Sequence, residues 1–299
     1  MKSVAVVSGK GGTGKTTLTA VFARIAARQH RLALADADVE ASNLPLALRV
    51  RDVSCQEFAG LAKTLISARQ CTGCGSCAAA CRFGAILQHR DGLYRVDPSV
   101  CEGCGLCVMV CPAAAITRVA SSAGEACSGV SDIGPLAFGR LGPGQDLSGK
   151  LVTEVRRLAL EAGSRHRADL MLIDGPPGTG CPLIAAVAST DLVVAVTEPT
   201  RSGAHDLERL VQVADRLQLP VRVVLNKADL SDEGAEHVRR LCDQRGLPLL
   251  AEVPFDPAFG LARQSRETNW HSAVAETSAA QRAAADAWRA LVRELGLAD

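Results

Sequence analysis

Eight of the twelve cysteines in this 299-residue chain fall into two runs that share one spacing. Each run reads C-x2-C-x2-C-x3-C, and the second begins thirty residues after the first. The first run consists of Cys71, Cys74, Cys77 and Cys81. The second consists of Cys101, Cys104, Cys107 and Cys111, with Pro112 directly after it. This is the bacterial ferredoxin spacing, so the sequence predicts two [4Fe–4S] clusters that are held by thiolates and suited to redox chemistry.

The spacing also predicts how the cysteines are shared between the clusters. Three closely spaced cysteines can occupy three corners of a cubane, and in two-cluster ferredoxins the fourth cysteine of each run binds the other cluster. The predicted ligands of the first cluster are Cys71, Cys74, Cys77 and Cys111. Those of the second are Cys101, Cys104, Cys107 and Cys81. Arg82 follows Cys81 where the second run has a proline, so this ligand is expected to be repositioned rather than lost.

Zinc is the rival metal for a cysteine-rich sequence. Zinc ribbons, however, use two C-x2-C pairs that are far apart, not two triplets that each end in a further cysteine. The six histidines are scattered without ligand spacing. The pattern therefore favours iron–sulfur clusters over zinc.

A second chemical signature lies near the start of the chain. Residues 9–16 read G-K-G-G-T-G-K-T and match the P-loop pattern G-x-x-x-x-G-K-[ST]. Glycines let successive backbone N–H groups turn toward phosphate oxygens at the start of a helix. We expect Lys15 to contact the β- and γ-phosphates and Thr16 to bind Mg²⁺. The predicted ATP contacts of this segment are Gly9, Lys10, Gly11, Gly12, Thr13, Gly14, Lys15, Thr16 and Thr17.

This loop resembles the deviant Walker A motif, K-G-G-x-x-K-[ST], of the MinD/Mrp/nitrogenase-iron-protein superfamily of ATPases. In that family the first lysine reaches the nucleotide of a partner subunit. The resemblance therefore implies an ATP-dependent homodimer, with Lys10 and Lys15 as catalytic residues.

Two further segments resemble the switch regions of the same superfamily. Residues 36–38, Asp-Ala-Asp, resemble switch I, in which Asp38 would activate the attacking water and Asp36 would lie near Mg²⁺. Residues 170–178 resemble Walker B and switch II, with Asp174 near the same ion. The implied Mg²⁺ residues are therefore Thr16, Asp36 and Asp174, and Asp38 joins the catalytic set.

Base recognition is implied for two later loops. Residues 226–229, N-K-A-D, follow an apolar run and resemble the base-recognition segment of these NTPases, in which Asn226 would pair with adenine. The same letters are the guanine signature of GTPases, so this motif alone leaves the base open, while the MinD-like loops favour ATP. A second base-contacting loop is expected at Pro254 and Asp256.

The cysteines outside the two runs are expected to play smaller parts. Cys181 follows Asp174 in the segment that resembles switch II, where the nitrogenase iron protein carries a cluster ligand. A third cluster that bridges two subunits is therefore conceivable, with Cys127 as the second ligand from each subunit, although a buried free cysteine is the commoner outcome. Cys55 and Cys242 are interpreted as core residues.

The surrounding sequence predicts the elements that must position these residues. Short apolar runs suit the buried strands of a parallel sheet, and amphipathic stretches of helical length lie between them. Their alternation predicts a doubly wound, mostly parallel α/β fold for a P-loop ATPase domain formed by residues 1–60 and 120–299. The alternation fails around the cysteine runs, so residues 61–119 are predicted to be an inserted, ferredoxin-like two-cluster domain. Residues 121–149, rich in Gly and Ser, are expected to form short strands or a loop.

Composition excludes several function classes. Lys and Arg total 33 against 32 Asp and Glu, and aromatic residues make up 3% of the chain, which argues against nucleic acid as a partner. No leader precedes the first apolar run and no run of eighteen apolar residues occurs, so a cytoplasmic protein is expected. Residues 279–297 are predicted to form an ordinary closing helix rather than a basic membrane anchor.

Taken together, the motifs resemble MinD-superfamily ATPases that contain an inserted ferredoxin domain. The resemblance implies ATP hydrolysis and a nucleotide-driven dimer switch coupled to two [4Fe–4S] clusters, used for electron transfer to a redox or iron–sulfur protein partner. Two alternatives stay open, an iron–sulfur cluster carrier and a MinD-like spatial organiser. The sequence names neither the redox partner, the cluster potentials nor the pathway served.

Overall fold

The computed structural model describes residues 1–145, 147–259 and 275–297. The chain separates into two compact units. Unit 1 consists of Met1–Gln56, Ala126–Arg140 and Ser148–Asp299, and unit 2 of Glu57–Glu125 and Leu141–Leu147. The first segment of unit 2 starts and ends a few residues outside the predicted 61–119, and its second segment was not expected. The assignment of this unit as a ferredoxin-like domain stays a prediction.

A nine-stranded sheet forms among the described residues, and every strand pair whose direction is defined is parallel. In spatial order its strands are β13 (Leu249–Val253), β12 (Val221–Asn226), β11 (Leu192–Thr197), β1 (Lys2–Ser8), β10 (Leu170–Pro177), β2 (Leu32–Asp36), β9 (Gly134–Leu141), β8 (Ser122–Ser131) and β3 (Arg51–Ala59). The central strands are buried along nearly their whole length, as their apolar runs predicted. The mostly parallel P-loop α/β fold is therefore confirmed.

Seven helices of unit 1 connect and cover these strands within the described ranges. They are α1 (Lys15–Ala26), α2 (Leu44–Ala47), α5 (Ser148–Arg165), α6 (Cys181–Val187), α7 (Arg201–Arg216), α8 (Asp232–Arg245) and α9 (Ala279–Glu294). The closing helix α9 begins at a capping box formed by Ser278 and Gln281. Its Trp288 packs on Phe22 of α1 in the main core, with ring centroids 5.8 Å apart. The predicted closing helix is therefore confirmed.

The segment after residue 120 differs from the expectation of short strands or a loop. It forms the long strands β8 and β9, and β9 pairs in parallel with β2. Its glycines reflect close packing rather than a loop. A Cβ on Gly134 would lie 2.4 Å from the carbonyl oxygen of Leu32, and one on Gly139 would lie 3.0 Å from Leu151 of α5. Glycine is needed at these positions because neighbouring atoms lie too close for a side chain. Since glycines are also typical of turns, the sequence of these strands resembles a turn-rich segment.

Unit 2 contains two small antiparallel sheets and two short helices. β4 (Lys63–Ile66) pairs with β7 (Ile116–Val119), and β5 (Ile86–Gln88) pairs with β6 (Tyr94–Val96). The helices are α3 (Ser76–Ala80) and α4 (Leu106–Met109). A buried hydrophobic cluster of the unit contains Cys77, Ile86, Cys107 and Ile116, so each half of the repeat contributes one cysteine and one isoleucine to it.

Within the described ranges, no helix combines the length and the apolar character that crossing a membrane requires.

Candidate functional site

The P-loop joins β1 to α1 and borders a cavity of about 560 Å³. Gly14 caps α1 with φ +90°, and Gly12 has φ +83°, a region that favours glycine. A Cβ at Gly11 or Gly12 would meet no atom within 4 Å, so the backbone here faces open space. The buried Thr13 Oγ1 has no hydrogen-bond partner among the described residues. These features form a cradle that an anion could occupy at the start of α1.

The cavity collects most of the residues that the motifs singled out. Those that line it are Gly11, Gly12, Thr13, Gly14, Lys15, Thr16, Thr17, Asp38, Asn226 and Asp256. Gly9, Lys10 and Pro254 are not among its lining residues, and Asp36 and Asp174 are fully buried. Further lining residues outside the predicted site set include Glu40, Asn43, Pro177, Lys227, Phe255 and Phe259. Pro177, Lys227 and Phe255 lie in segments that the motifs had already singled out, whereas no motif pointed to the other three.

Lys15 lies at the centre of a buried charge network. Its Nζ is 2.9 Å from Oδ1 of Asp174 and 3.8 Å from Oδ2 of Asp38. Burial opposes the charge of Lys15, but the carboxylates, Asp174 first, outweigh it and raise its pKa. Thr19 also donates to Oδ1 of Asp174, over 3.1 Å. The lysine is therefore held in its charged form by an ion pair with β10.

Asp36 and Asp174 are two fully buried carboxylates that face each other across the adjacent strands β2 and β10. Burial first, and then the charge of Asp174, raise the pKa of Asp36 to about 7, while the charge of Lys15 acts in the opposite direction. Asp36 accepts hydrogen bonds from Ser42 Oγ (2.8 Å) and the Leu44 N–H (2.9 Å). In contrast, Oδ2 of Asp174 has no partner among the described residues. Negative charge therefore exceeds its local compensation at this point.

The side chain of Asp38 lines the cavity and, unlike those of the two aspartates just described, is not fully buried. Burial raises the pKa of its carboxyl, while Lys15 acts in the opposite direction. Its backbone N–H donates to Oδ1 of Asp36, which fixes the loop after β2. The carboxyl group is thus placed between the lysine and the cavity.

Two residues from the end of β12 tie the P-loop down. Nδ2 of Asn226 donates to the carbonyl oxygen of Thr13 over 2.7 Å, and Nζ of Lys227 donates to that of Gly12 over 2.8 Å. Asn226 is nearly buried, and a Cβ on Gly14 would lie 2.2 Å from its Nδ2. Its amide N–H is therefore engaged with the loop, a structural role that the sequence did not predict. The predicted contact with adenine stays a prediction.

Lys10 points toward a polar cluster of the same chain. Its Nζ lies 2.6 Å from Oε1 of Glu198, 3.2 Å from Oγ1 of Thr200 and 3.0 Å from Oγ of Ser202. Lys227 also lies 3.6 Å from Glu198. These partners are nearly two hundred residues away in sequence, so no local motif revealed them.

The predicted second base loop is held by its own hydrogen bonds. Asp256 accepts from the Ala258 N–H (2.8 Å) and from Ser278 Oγ (2.6 Å), and the Phe255 N–H donates to Asp229 (2.6 Å). Asp229, the last residue of the N-K-A-D segment, thus fixes Phe255 beside the cavity.

The eight cysteines of unit 2 surround two separate cavities. Three cysteines of the first run and the last of the second line one cavity, namely Cys71, Cys74, Cys77 and Cys111. Three of the second run and the last of the first line the other, namely Cys101, Cys104, Cys107 and Cys81. The structure therefore brings together the two sets that the crossed ligand pattern predicts, including Cys81 despite the missing proline. Whether they bind clusters stays a prediction.

The two cavities differ in their surroundings. In the second, Thr64 Oγ1 lies 3.7 Å from Sγ of Cys101 and 3.6 Å from Sγ of Cys107. Burial raises the pKa of Cys101, but hydrogen bonds from Gly103 and Thr64 outweigh it, so the net shift is downward. In the first, burial raises the pKa of Cys77, and a hydrogen bond with Ser76 lowers that of Cys74. In iron–sulfur proteins, hydrogen bonds to the sulfur atoms are one of the factors that set the reduction potential of a cluster.

The remaining cysteines correct two predictions. Cys55 is exposed on β3 and forms a disulfide with the fully buried Cys127 of the neighbouring strand β8, so its assignment to the core was wrong. The bonded Cys127 is also not free to serve as the second ligand of a bridging cluster. Cys181 is a free but exposed thiol at the start of α6, so the expectation that it is buried was wrong. Cys242 is buried, as predicted.

Comparisons with known proteins agree with this geometry. A family model described as the CobQ/CobB/MinD/ParA nucleotide binding domain matches residues 4–269. An uncharacterized protein of Methanocaldococcus jannaschii is 32% identical over 77% of this chain and 79% of its own length. The iron-sulfur cluster carrier protein of Pyrococcus furiosus is 29% identical over 36% of this chain and 41% of its own. The structure of MinD from Pyrococcus horikoshii with Mg-ADP superposes with a TM-score of 0.59 at 19% identity, covering 99% of this chain and 97% of that one.

Proposed function

The chain belongs to the CobQ/CobB/MinD/ParA nucleotide-binding family, and from this premise we propose that it is an ATP-hydrolysing iron–sulfur protein with two [4Fe–4S] clusters. Nucleotide binding would switch a homodimer, and the clusters would transfer electrons to a redox or iron–sulfur protein. The observation that carries the proposal is the pair of cysteine cavities, each lined by three cysteines of one run and the last of the other.

ATP would occupy the cavity beside the P-loop. The open backbone at Gly11 and Gly12 suits phosphate oxygens, and the charged Lys15 lies at the start of α1 to meet the β- and γ-phosphates. Asp38 lines the same cavity and would orient the attacking water. The aromatic ring of Phe255 offers an apolar surface on which a base could stack.

The residues present also fit Mg²⁺. Asp174 has an unpartnered buried oxygen, its charge raises the pKa of Asp36, and Thr16 lines the cavity. Hard oxygen donors with excess negative charge suit this ion. Thr16, Asp36 and Asp174 would hold it directly or through water, and the ion would neutralise charge that develops on the phosphates.

The cysteine cavities fit [4Fe–4S] clusters by donor chemistry. Each offers four sulfur atoms as potential thiolate ligands, and Thr64 places a hydroxyl beside two sulfurs of the second set. Clusters bound there would supply one-electron redox chemistry, at potentials set by hydrogen bonds and exposure.

Lys10 supports a switch between chains. In the isolated chain its ammonium is held by Glu198, Thr200 and Ser202. By resemblance to the deviant Walker A family, it would leave these partners and reach the nucleotide of a second subunit. ATP-dependent dimerisation would then exchange an internal ion pair for one across the interface.

A second candidate function is delivery of clusters to other proteins. The observation that favours it is the similarity to iron-sulfur cluster carrier proteins, which spans about a third of this chain. Transfer of a cluster to an apo-ferredoxin within minutes, accelerated by ATP, would favour this role. Retention of both clusters under the same conditions would favour electron transfer.

The proposal is tested by iron analysis and EPR of anaerobically reconstituted Cys81→Ser and Cys111→Ser variants. The wild type should hold about eight iron atoms per chain, and each variant should lose or alter one of two [4Fe–4S] signals. Cys181→Ser, which removes an exposed thiol outside both cavities, is the matched control and should keep both signals. A wild type that binds zinc but no iron would contradict the proposal.

A further inference from the structure

Helix α4 exposes three large apolar side chains beside the second set of cysteines. Leu106 is 43% exposed, Met109 84% and Val110, which caps the helix, 36%. Their spacing of three and four residues places them on one face of the helix. We refer to Leu106, Met109 and Val110 as the α4 patch.

The internal repeat shows that holding cysteines does not require this patch. Helix α3 is the equivalent of α4, thirty residues earlier, and carries Cys77 where α4 carries Cys107. Its residues at the three patch positions are Ser76, Ala79 and Ala80. The two halves of the unit therefore position their cysteines in the same way. At the three patch positions, however, α3 has small side chains and α4 has large, exposed apolar ones. Clustered exposed apolar side chains on a small unit indicate a binding surface.

The patch adjoins one cavity specifically. Leu106 lines the cavity of Cys81, Cys101, Cys104 and Cys107, in which Cys104 is exposed. The equivalent Ser76 is not among the residues that line the first cavity. Through Leu106, a protein seated on the α4 patch would therefore lie against the cavity of the second set, whereas no residue of the patch lines the first cavity.

Three basic side chains, which we call the basic rim, contact residues that line the second cavity without lining it themselves. Nη2 of Arg118 donates to the carbonyl oxygen of Gly103 over 3.1 Å, and Nζ of Lys63 donates to that of Cys101. Arg82 stacks on Phe83, another lining residue, and Glu102 is the acidic residue of the lining. The equivalent of Arg118 in the first half is Gln88. None of the described residues that line the first cavity is charged.

From this asymmetry we propose that the α4 patch is the docking surface for a small acidic one-electron carrier protein. The proposal rests on the proposed function, because it assigns the cluster at Cys81, Cys101, Cys104 and Cys107 as the one that exchanges electrons with the partner. One electron leaves the reduced cluster, which returns to its oxidised state, and reduces the single metal centre of the partner. The basic rim complements acidic side chains on the partner and so sets the approach.

The test uses rubredoxin, a small acidic protein with one redox-active iron, as the probe. In the triple variant Leu106→Ser, Met109→Ala and Val110→Ala, the patch takes the residues of α3. Electron transfer from the dithionite-reduced protein to rubredoxin should slow about tenfold, because a few central apolar contacts dominate such interfaces. Zinc-substituted rubredoxin, which accepts no electron, should bind the triple variant about tenfold more weakly than it binds the wild type. Reduction of a viologen dye, which needs no docking surface, should be unchanged.

Leu87→Thr is the matched control for the triple variant. Leu87 is 56% exposed in the first half of the repeat, and Thr117 is its equivalent in the second. This variant removes a comparably exposed apolar side chain from the same unit and should leave the transfer rate unchanged. Met109→Ala alone, which alters the most exposed side chain, should slow transfer about threefold and covers the case in which the triple variant does not fold.

The basic rim gives an independent arm. Arg118→Gln, again the substitution that the repeat itself makes, should weaken rubredoxin binding and flatten its dependence on salt. Transfer to cytochrome c, a basic acceptor, should not weaken in this variant. The EPR signals measured alongside must be those of the wild type, so that a change in the cluster itself is excluded.

The outcomes separate this proposal from the proposed function. If the wild type holds no [4Fe–4S] clusters, both fail. If its clusters are normal but the triple variant transfers electrons to rubredoxin at the wild-type rate, the docking surface is wrong and the proposed function stands. If the triple variant instead loses self-association in sedimentation while its transfer rate is unchanged, the patch is a contact between subunits and the proposal is also wrong.

Discussion

The nucleotide site and the cysteine cavities are built by different means. In unit 1 a large apolar core holds the strands, an ion pair with Asp174 positions Lys15, and a hydrogen bond from Asn226 positions the P-loop. In unit 2 the buried hydrophobic cluster contains only two cysteines and two isoleucines among the described residues, and the strands of its two small sheets are three or four residues long. Small units with so little apolar core usually depend on metal or disulfide bonds. From this comparison we expect unit 1 to fold without its ligands, whereas unit 2 should depend on its proposed clusters for folding.

The largest effect that this comparison predicts follows removal of the clusters. In anaerobically prepared, cluster-free protein, residues 57–125 should exchange amide hydrogens within seconds and be cut by proteases, since metal binding supplies the folding free energy of such units. The strands of unit 1 should stay protected. Hydrogen exchange with mass spectrometry measures both in one sample. Equal protection of unit 2 with and without clusters would contradict the expectation that unit 2 depends on them for folding.

Loss of the lysine at the P-loop should disable unit 1 alone. Lys15→Ala removes the charge that meets phosphates and should weaken ATP binding by about a hundredfold or more. It also leaves the buried Asp174 carboxylate unpaired, so unit 1 should lose about 3–5 kcal/mol of stability. Isothermal titration, thermal unfolding and the visible absorbance of the clusters should be recorded together.

The control for Lys15→Ala is the double variant that combines Lys15→Ala with Asp174→Asn. The double variant should be more stable than Lys15→Ala but should still not bind ATP. Retained ATP affinity in Lys15→Ala would show that the site has been assigned to the wrong residues.

Lys10 should affect turnover rather than binding. In Lys10→Ala the cavity residues are intact, so ATP should bind within about threefold of the wild type. Dimer-dependent hydrolysis should be lost, because the residue that would reach the partner's nucleotide is missing. Sedimentation and phosphate release test this.

Glu198→Gln is the complementary variant, because it weakens the internal ion pair of Lys10 and leaves Lys10 itself in place. It should favour the ATP-bound dimer. Unchanged turnover in Lys10→Ala would contradict a role across the interface.

The smallest predicted effect concerns the hydrogen bonds that hold the P-loop. Asn226→Ala removes one bond to Thr13 and should weaken ATP binding about tenfold, which corresponds to ~1.4 kcal/mol. Lys227→Ala removes the exposed bond to Gly12 and should cost less. A larger loss for ATP than for inorganic triphosphate in Asn226→Ala would indicate direct contact with the base as well.

Much of unit 1 could be predicted from local sequence. The strands β1, β2, β10, β11, β12 and β13 and the P-loop helix have patterns in which apolar runs and glycine spacing report burial directly. β3 was missed because it is mostly exposed. β8 and β9 were expected only as short strands or a loop, because their glycines, which serve close packing, resemble those of turns. Helices α5 and α6 were not predicted either.

Contacts between distant residues could not be predicted in the same way. The pairs Lys10–Glu198, Asn226–Thr13 and Cys55–Cys127 join residues far apart in sequence, so no periodicity records them. The cysteine cavities are the exception. Their crossed pairing of distant residues was predicted because the spacing of each run carries a known chemical rule.

The central claim is that nucleotide state and the clusters are coupled. An anaerobic EPR redox titration of the reconstituted protein with Mg-ADP, and again with a non-hydrolysable ATP analogue, tests it most directly. Coupling between sites is usually ~1–3 kcal/mol, which for one electron is a shift of roughly 45–130 mV in midpoint potential. We expect two [4Fe–4S] signals, of which at least one shifts by that amount between the nucleotides. Identical midpoint potentials in both nucleotide states would contradict the claim and would favour cluster delivery as the function.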